Sequence, residues 1–186
     1  MRRQQAATAV AVLAAMSVGS LVNERLHDPT DVLEQRYERT GVVGQAVPMR
    51  TLSVTVHGVS SAAKVKNYSG VATTRGIWLV VDLGYTAKDS TESLDPGSIV
   101  SVDGRRFGGK QAVTLSCGVS LPGIEHGCRQ IFELPKGVLA GARYEVPTAG
   151  GQQGDDVAVI DLQIDQARAQ KLEASTATFD AEQENS

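Results

Sequence analysis

The stretch Gly76-Ile77-Trp78-Leu79-Val80-Val81-Asp82-Leu83-Gly84-Tyr85-Thr86 decides the fold class. Ile77, Leu79, Val81, Leu83 and Tyr85 recur at every second position, the period of a strand, so all five share one face. Trp78 and Val80 between them are apolar as well. The first half of this strand is therefore expected to be covered on both faces, as a central strand is. Asp82 interrupts the run at a position that is costly for a carboxylate unless it is hydrogen-bonded or at a sheet edge. A role in strand pairing or turn support is expected for it.

Working outward, the same period recurs. Leu52, Val54 and Val56 alternate with Ser53 and Thr55, the mark of a strand with one wet face. Ile99 to Phe107 holds Asp103-Gly104 between Val102 and Arg105, a two-residue hairpin signal. Further strands are predicted at Ala112 to Ser116, Arg129 to Leu134, Arg143 to Val146 and Val157 to Ile164, the last with Ala158, Ile160, Leu162 and Ile164 on one side. No helical period and no Rossmann or P-loop spacing interrupts the series. Such a series predicts an all-β, antiparallel β-sandwich over residues 48–165, with Trp78, Leu79, Val81, Phe132, Ile160 and Leu162 in its core. A chain of 186 residues with 41% hydrophobic content can bury one such core.

Charge and cysteine narrow the function classes. Eighteen basic against twenty-one acidic residues give a net charge of −3. The surplus sits at the C-terminal end, where Asp165, Glu173, Asp180, Glu182 and Glu184 face only Arg168 and Lys171. A domain without a basic stripe has no electrostatic footprint for a phosphate backbone, so no nucleic-acid partner is expected. Cys117 and Cys128 enclose a turn-rich loop between two strand-like runs, and an oxidising compartment would let them pair. A redox or metal pair with His126 between them is the rival reading, and it lacks both CxxC and HxxxH spacing. No metal site and no cofactor are expected.

The N-terminus points to export. Arg2 and Arg3 precede an uncharged run from Gln4 to Asn23 rich in Ala, Val, Leu and Met. A run of about 20 residues at helical rise spans about 30 Å, the thickness of a bilayer core, and the two arginines would hold the N-terminus on the cytoplasmic side. Two readings of residues 1–25 stay open: a retained single-pass anchor, or a signal peptide cut near Val18-Gly19-Ser20. No cysteine near the segment offers a lipidation site. Residues 26–47 read as a linker in which Asp28 caps a short helix over about 29–39, with Pro29 at its first position and Val32, Leu33 and Tyr37 as a narrow apolar stripe. Residues 166–186 carry no sustained apolar period and are expected to be a disordered tail dispensable for folding, although 166–174 holds good helix formers.

The residues that could support catalysis are His57, Asp82, Ser116, His126, Asp155, Asp156 and Asp161. Ser116 lies outside any GxSxG context. His57 precedes Gly58 and reads as a turn residue at a strand end. Asp155 and Asp156 follow Gly150-Gly151-Gln152-Gln153-Gly154 and read as a solvated turn more readily than as a loop cation site. Without a recognisable constellation, no enzyme is expected.

Taken in order, Gly76 to Leu83, then Val102-Asp103-Gly104-Arg105-Arg106-Phe107, then Ile131-Phe132-Glu133-Leu134-Pro135-Lys136-Gly137, then Val159-Ile160-Asp161-Leu162 resemble a bacterial group of secreted immunoglobulin-like β-sandwich domains. That group includes small mycobacterial secreted antigens and many envelope lipoproteins. The resemblance spans residues 48–164. It implies an immunoglobulin-like fold and an envelope location, and no catalytic residues. The chain departs from the lipoprotein members in having no lipobox, and the Cys117/Cys128 pair is no part of the group's pattern. The expected function is a noncatalytic extracytoplasmic interaction domain, anchored in the cytoplasmic membrane with its C-terminal domain outside, serving as an accessory or assembly subunit of an envelope protein complex. The alternative is a secreted soluble binder of a small molecule, lipid or glycan.

Overall fold

The computed structural model describes residues 37–67, 70–108, 113–114, 117–148 and 156–181. The expected membrane helix with Arg2 and Arg3, most of the linker helix, Ser116 and Asp155 lie outside these residues. Among the described residues no helix is long and apolar enough to cross a membrane.

The chain runs β1 (Glu38–Val42), β2 (Ala46–Pro48), β3 (Leu52–Asn67), β4 (Gly70–Ala87), β5 (Glu92–Ser93), β6 (Ser98–Val100) and β7 (Arg106–Gly108). It continues through β8 (Val113–Thr114), β9 (Val119–Ser120), β10 (Glu125–Leu134), β11 (Arg143–Pro147), β12 (Val157–Asp161), α1 (Gln166–Glu173) and β13 (Thr178–Asp180). A five-stranded sheet has the order β1-β12-β11-β6-β7. A six-stranded sheet has the order β13-β3-β4-β10-β8, with β2 also on β3, and β5 pairs β9 separately. The fold is a β-sandwich, because one core cluster draws Val54, Leu79, Val81 and Phe132 from the six-stranded sheet and Ile99, Tyr144, Ala158 and Ile160 from the other. Most pairings are antiparallel. The expected antiparallel pairing is departed from at two edges, where β1 runs parallel to β12 and β13 parallel to β3.

The quoted stretch falls inside β4, between β3 and β10. Its alternate residues Ile77, Leu79, Val81, Leu83 and Tyr85 all enter the main core. Trp78 and Val80 belong to a second cluster on the opposite face, with Ala62, Val65, Ile131 and Ala181 and, partly buried, Ala72 and Phe179. Ala181 and Phe179 come from the stretch expected to be a disordered tail, and that expectation is corrected. Asp165 caps α1 by accepting the Arg168 N–H at 2.7 Å. Ala169 enters the main core. Beyond the helix the Ala63 N–H donates to the Ala177 carbonyl at 2.8 Å and the Ala181 N–H to the Lys66 carbonyl at 3.0 Å, which seats β13 on the edge of β3. The physical reason is that few apolar side chains suffice where their docking surface is prebuilt, and β4 supplies such a surface.

Three local expectations shift. The sandwich begins at Glu38, inside the expected linker, and residues 38–39 are strand where the linker helix was expected to end. At the β6–β7 turn the Gly104 N–H donates to the Ser101 carbonyl at 2.9 Å, and Gly104 alone in the turn has positive φ, 82°. This is a type I turn closed by a left-handed glycine, not a two-residue primed turn. The final strand stops at Asp161 because Gln163 is left-handed, φ 52°, its N–H held by the Asp161 carboxylate at 2.8 Å. Leu162 and Ile164 are still buried.

Candidate functional site: the disulfide-closed loop

Cys117 and Cys128 are bonded, S–S 2.04 Å, and close a loop whose turn reads Leu121-Pro122-Gly123-Ile124. The Ile124 N–H donates to the Leu121 carbonyl at 3.1 Å across this turn, with proline second and Gly123 third at φ 73°. That combination defines a type II turn, which demands the glycine. The loop is tied down from inside. Ser120 is buried, and its hydroxyl accepts the Ala87 N–H at 3.0 Å while lying 2.9 Å from the Ile124 carbonyl, to which it donates. The Gly123 N–H donates to the Ala87 carbonyl at 3.0 Å, and Val119 and Ser120 pair with Ser93 and Glu92.

With Ser120 turned in, its neighbours turn out. Val119 is 56% exposed, Leu121 53% and Ile124 59%. Val119 and Leu121 are two apart and so project to the same side of an extended segment, and the turn brings the backbones of Leu121 and Ile124 together at its two ends. All three stand on one fastened loop.

The base of the loop rests on a buried polar network. Gln130 is fully buried, and its Oε1 accepts from the Gly97 N–H at 2.8 Å and the Tyr144 hydroxyl at 2.9 Å. Its Nε2 donates to the Asp95 carbonyl at 3.3 Å and lies 3.6 Å from Cys117 Sγ. Burial pushes the Tyr144 phenol up, which keeps it a neutral donor. Tyr85, also raised by burial, donates to the Gly118 carbonyl and meets the His126 ring edge-on at 5.5 Å. A side chain at 118 would strike His126, so the glycine permits this approach.

The remaining expected residues are dispersed. His57 is not at a strand end; it sits within β3 at a register break between Val56 and Gly58, and the extra residue there turns it outward. Its Nε2 lies 3.1 Å from Glu125 Oε1, both side chains exposed. Asp82 faces Arg129 across the strands at 3.7 Å, a pairing role. Asp161 holds the Gln163 turn. Asp156 is not a solvated turn residue: it is 3% exposed with Arg39 Nε at 3.5 Å from its Oδ1, because the start of β12 carries it under the β1 edge. Among the described residues no three or more His, Cys, Asp or Glu side chains are placed to hold a metal ion. The exposed apolar triad is what sequence reasoning missed. The signal was present in Leu-Pro-Gly-Ile, whose turn type is readable, but the inward set of Ser120 depends on partners distant in sequence.

A groove of about 520 Å³ lies elsewhere, lined by Thr73, Thr74, Arg75, Gly76, Glu133, Leu134 and Pro135. It is open, and the Thr74 hydroxyl already donates to Glu133 at 2.6 Å within it.

No protein-family model matches the chain, and no curated protein matches it. Two solved structures are similar to it. One is an uncharacterized β-sandwich protein from Clostridium difficile 630, with a TM-score of 0.46, 11% identity, and coverage of 70% of this chain and 97% of the other. The second is the yjhA protein from Bacillus subtilis, with a TM-score of 0.48, 13% identity, and coverage of 65% and 99%.

Proposed function

We propose that the chain is a noncatalytic, extracytoplasmic, immunoglobulin-like interaction domain, held at the outer face of the cytoplasmic membrane by its N-terminal segment and acting as an accessory or assembly subunit of an envelope protein complex. The observation that carries this reading is the disulfide-closed loop with its outward Val119, Leu121 and Ile124. A disulfide is stable in an oxidising compartment, which agrees with the Arg2-Arg3 and apolar N-terminus. A backbone fastened before binding loses little conformational entropy on binding, which favours recognition. Among the described residues, His57 lies beside Glu125 on an open surface and His126 packs on Tyr85.

Full-length chain extracted from its own membranes in mild detergent should bring down a partner protein in fixed ratio, and external protease should digest the domain in spheroplasts. Intact mass after alkylation without reductant should show no modified thiol. Complete protection from protease, or a mature protein starting near Leu21 in the medium with nothing bound, would overturn the anchored-subunit reading. That last result would favour a secreted binder, for which the groove at Thr73–Gly76 and Glu133–Pro135 is the place to look.

A further inference from the structure

We infer that the groove of about 520 Å³ at the end of β10 binds a small organic anion, a carboxylate or phosphate group on a short apolar body. This goes beyond the interaction-domain reading and is independent of it. The groove is made by an irregularity in β4. Between the register pairs Ala62–Trp78 and Lys64–Thr73, β3 has one residue, Ala63, and β4 has four, Thr74 to Ile77. The Ala63 N–H donates the other way, to the Ala177 carbonyl, so this part of β4 is released from its neighbour. Such a bulge re-aims the side chains it carries. It is also pinned. The Gly76 N–H donates to the Thr74 hydroxyl at 2.9 Å, and that hydroxyl donates to Glu133 Oε1 at 2.6 Å. A Cβ at Gly76 would collide with the Leu134 carbonyl, so the glycine lets the bulge settle on the end of β10. Arg75 stands between these two fixed residues, exposed in the groove.

The charges select the ligand. Among the described residues the Arg75 guanidinium has no hydrogen-bond or ion-pair partner, whereas Lys66 and Arg106 are paired with Asp180 and Glu145. Lys64, the register partner of Thr73, and Lys136, next to Pro135, are exposed and have no acidic partner among the described residues either. The one acid in the lining, Glu133, is engaged by Thr74. Three cations around one acid, in a chain of net charge −3, make this groove a local positive field. A guanidinium there offers a planar fork to a carboxylate or a phosphate, and the Thr73 hydroxyl offers a further donor. Leu134 and Pro135 form an apolar wall for the rest of the ligand, in a volume of small-molecule size.

Trp78, the single tryptophan of the chain, is the register partner of Glu133 and serves as the probe. Full-length protein in mild detergent is titrated with isocaproate, isopentyl phosphate, isopentanol and isopentylamine, followed by Trp78 fluorescence and calorimetry. Saturable binding is expected for the two anions and not for the alcohol or the amine, with affinity falling as salt is raised. The tighter of the two anions identifies the head group. Arg75→Gln should weaken binding by roughly tenfold to a hundredfold, the range of a lost charge-assisted hydrogen bond, and the pair Lys64→Gln and Lys136→Gln by a smaller factor. Arg105→Gln, in the β6–β7 turn beside Asp103, should leave binding unchanged. An unchanged melting temperature in each variant separates lost binding from lost folding. No binding of either anion at millimolar concentration, equal binding of the alcohol, or an affinity indifferent to Arg75→Gln would overturn the inference. Copurification of a partner protein does not depend on these ligands, so each of those results leaves the interaction-domain reading as it was.

Discussion

Replacing Gln130 by leucine tests the buried network under the loop. The two side chains are close in volume, so the substitution opens no large cavity and its cost is electrostatic. In the native protein one amide oxygen accepts both the Gly97 N–H and the Tyr144 hydroxyl. Leucine leaves both buried donors without an acceptor, at about 1–3 kcal/mol each, or about 2–6 kcal/mol together. Burying leucine in place of a primary amide returns about 1 kcal/mol. A net loss of about 3 kcal/mol is expected, a large part of the stability of a domain of this size. Urea melts of the oxidised protein would read it as a lower midpoint at unchanged slope. The stronger test is the cycle with Tyr144→Phe, which removes one of the orphaned donors. In the leucine background that second change should cost less than in the wild type, with a coupling of about 1–3 kcal/mol. An unchanged midpoint for Q130L, or strict additivity with Y144F, would refute the view that this amide holds the strand, the Asp95–Gly97 segment and the loop base together.

Three further outcomes are expected. Leu162→Ala, at a fully buried core position, should cost about 2–5 kcal/mol in the same melts. A chain ending after Asp165 should melt at a lower temperature and show red-shifted Trp78 fluorescence, since Phe179 and Ala181 then leave the cluster around Trp78; an unshifted spectrum would mean that the tail does not cover it. Asp103 is held below the usual carboxylate range, first by the Ser101 hydroxyl and then by Arg105, so the stabilisation it brings is present above its unfolded value of about 4 and is lost as pH falls through the lower folded value. The stability difference between wild type and D103N should therefore be constant near neutrality and shrink on acidification, and a difference that grows instead would reverse the assignment.

How much of this fold was legible depends on how local each signal is. The alternation in residues 76–86 is local and strong, and it placed the central strand with both its inner face and its second, apolar face. Strand direction at the edges was not legible, since Thr178-Phe179-Asp180 is an ordinary tripeptide until Val65 of β3 lies beside Phe179. The Asp103-Gly104 pair announced a turn, but whether aspartate or only glycine takes positive φ is decided by the flanking ladder. Asp165 is a readable helix cap, but residues 166–186 carry no sustained apolar period to show that the helix and the strand after it would dock. His57 carried no local sign of the extra residue in β3, because a strand irregularity is a mismatch between two strands.

The tail and the loop show the same physical rule working in opposite directions. Trp78 and Val80 form an apolar second face that some part of the chain must cover, and a strand apolar on both sides implies a cover even where no other segment looks suited to it. The chain answers with Phe179 and Ala181, and the cost of ordering the tail is offset by backbone hydrogen bonds to Ala63 and Lys66 as well as by burial. At the loop the chain orders a backbone with equal care, through Ser120, Gly123 and a covalent bond, yet leaves Val119, Leu121 and Ile124 facing water. Folding alone gains nothing from fixing apolar side chains in that position. The first apolar surface is covered by the chain itself, and the second stays open to water.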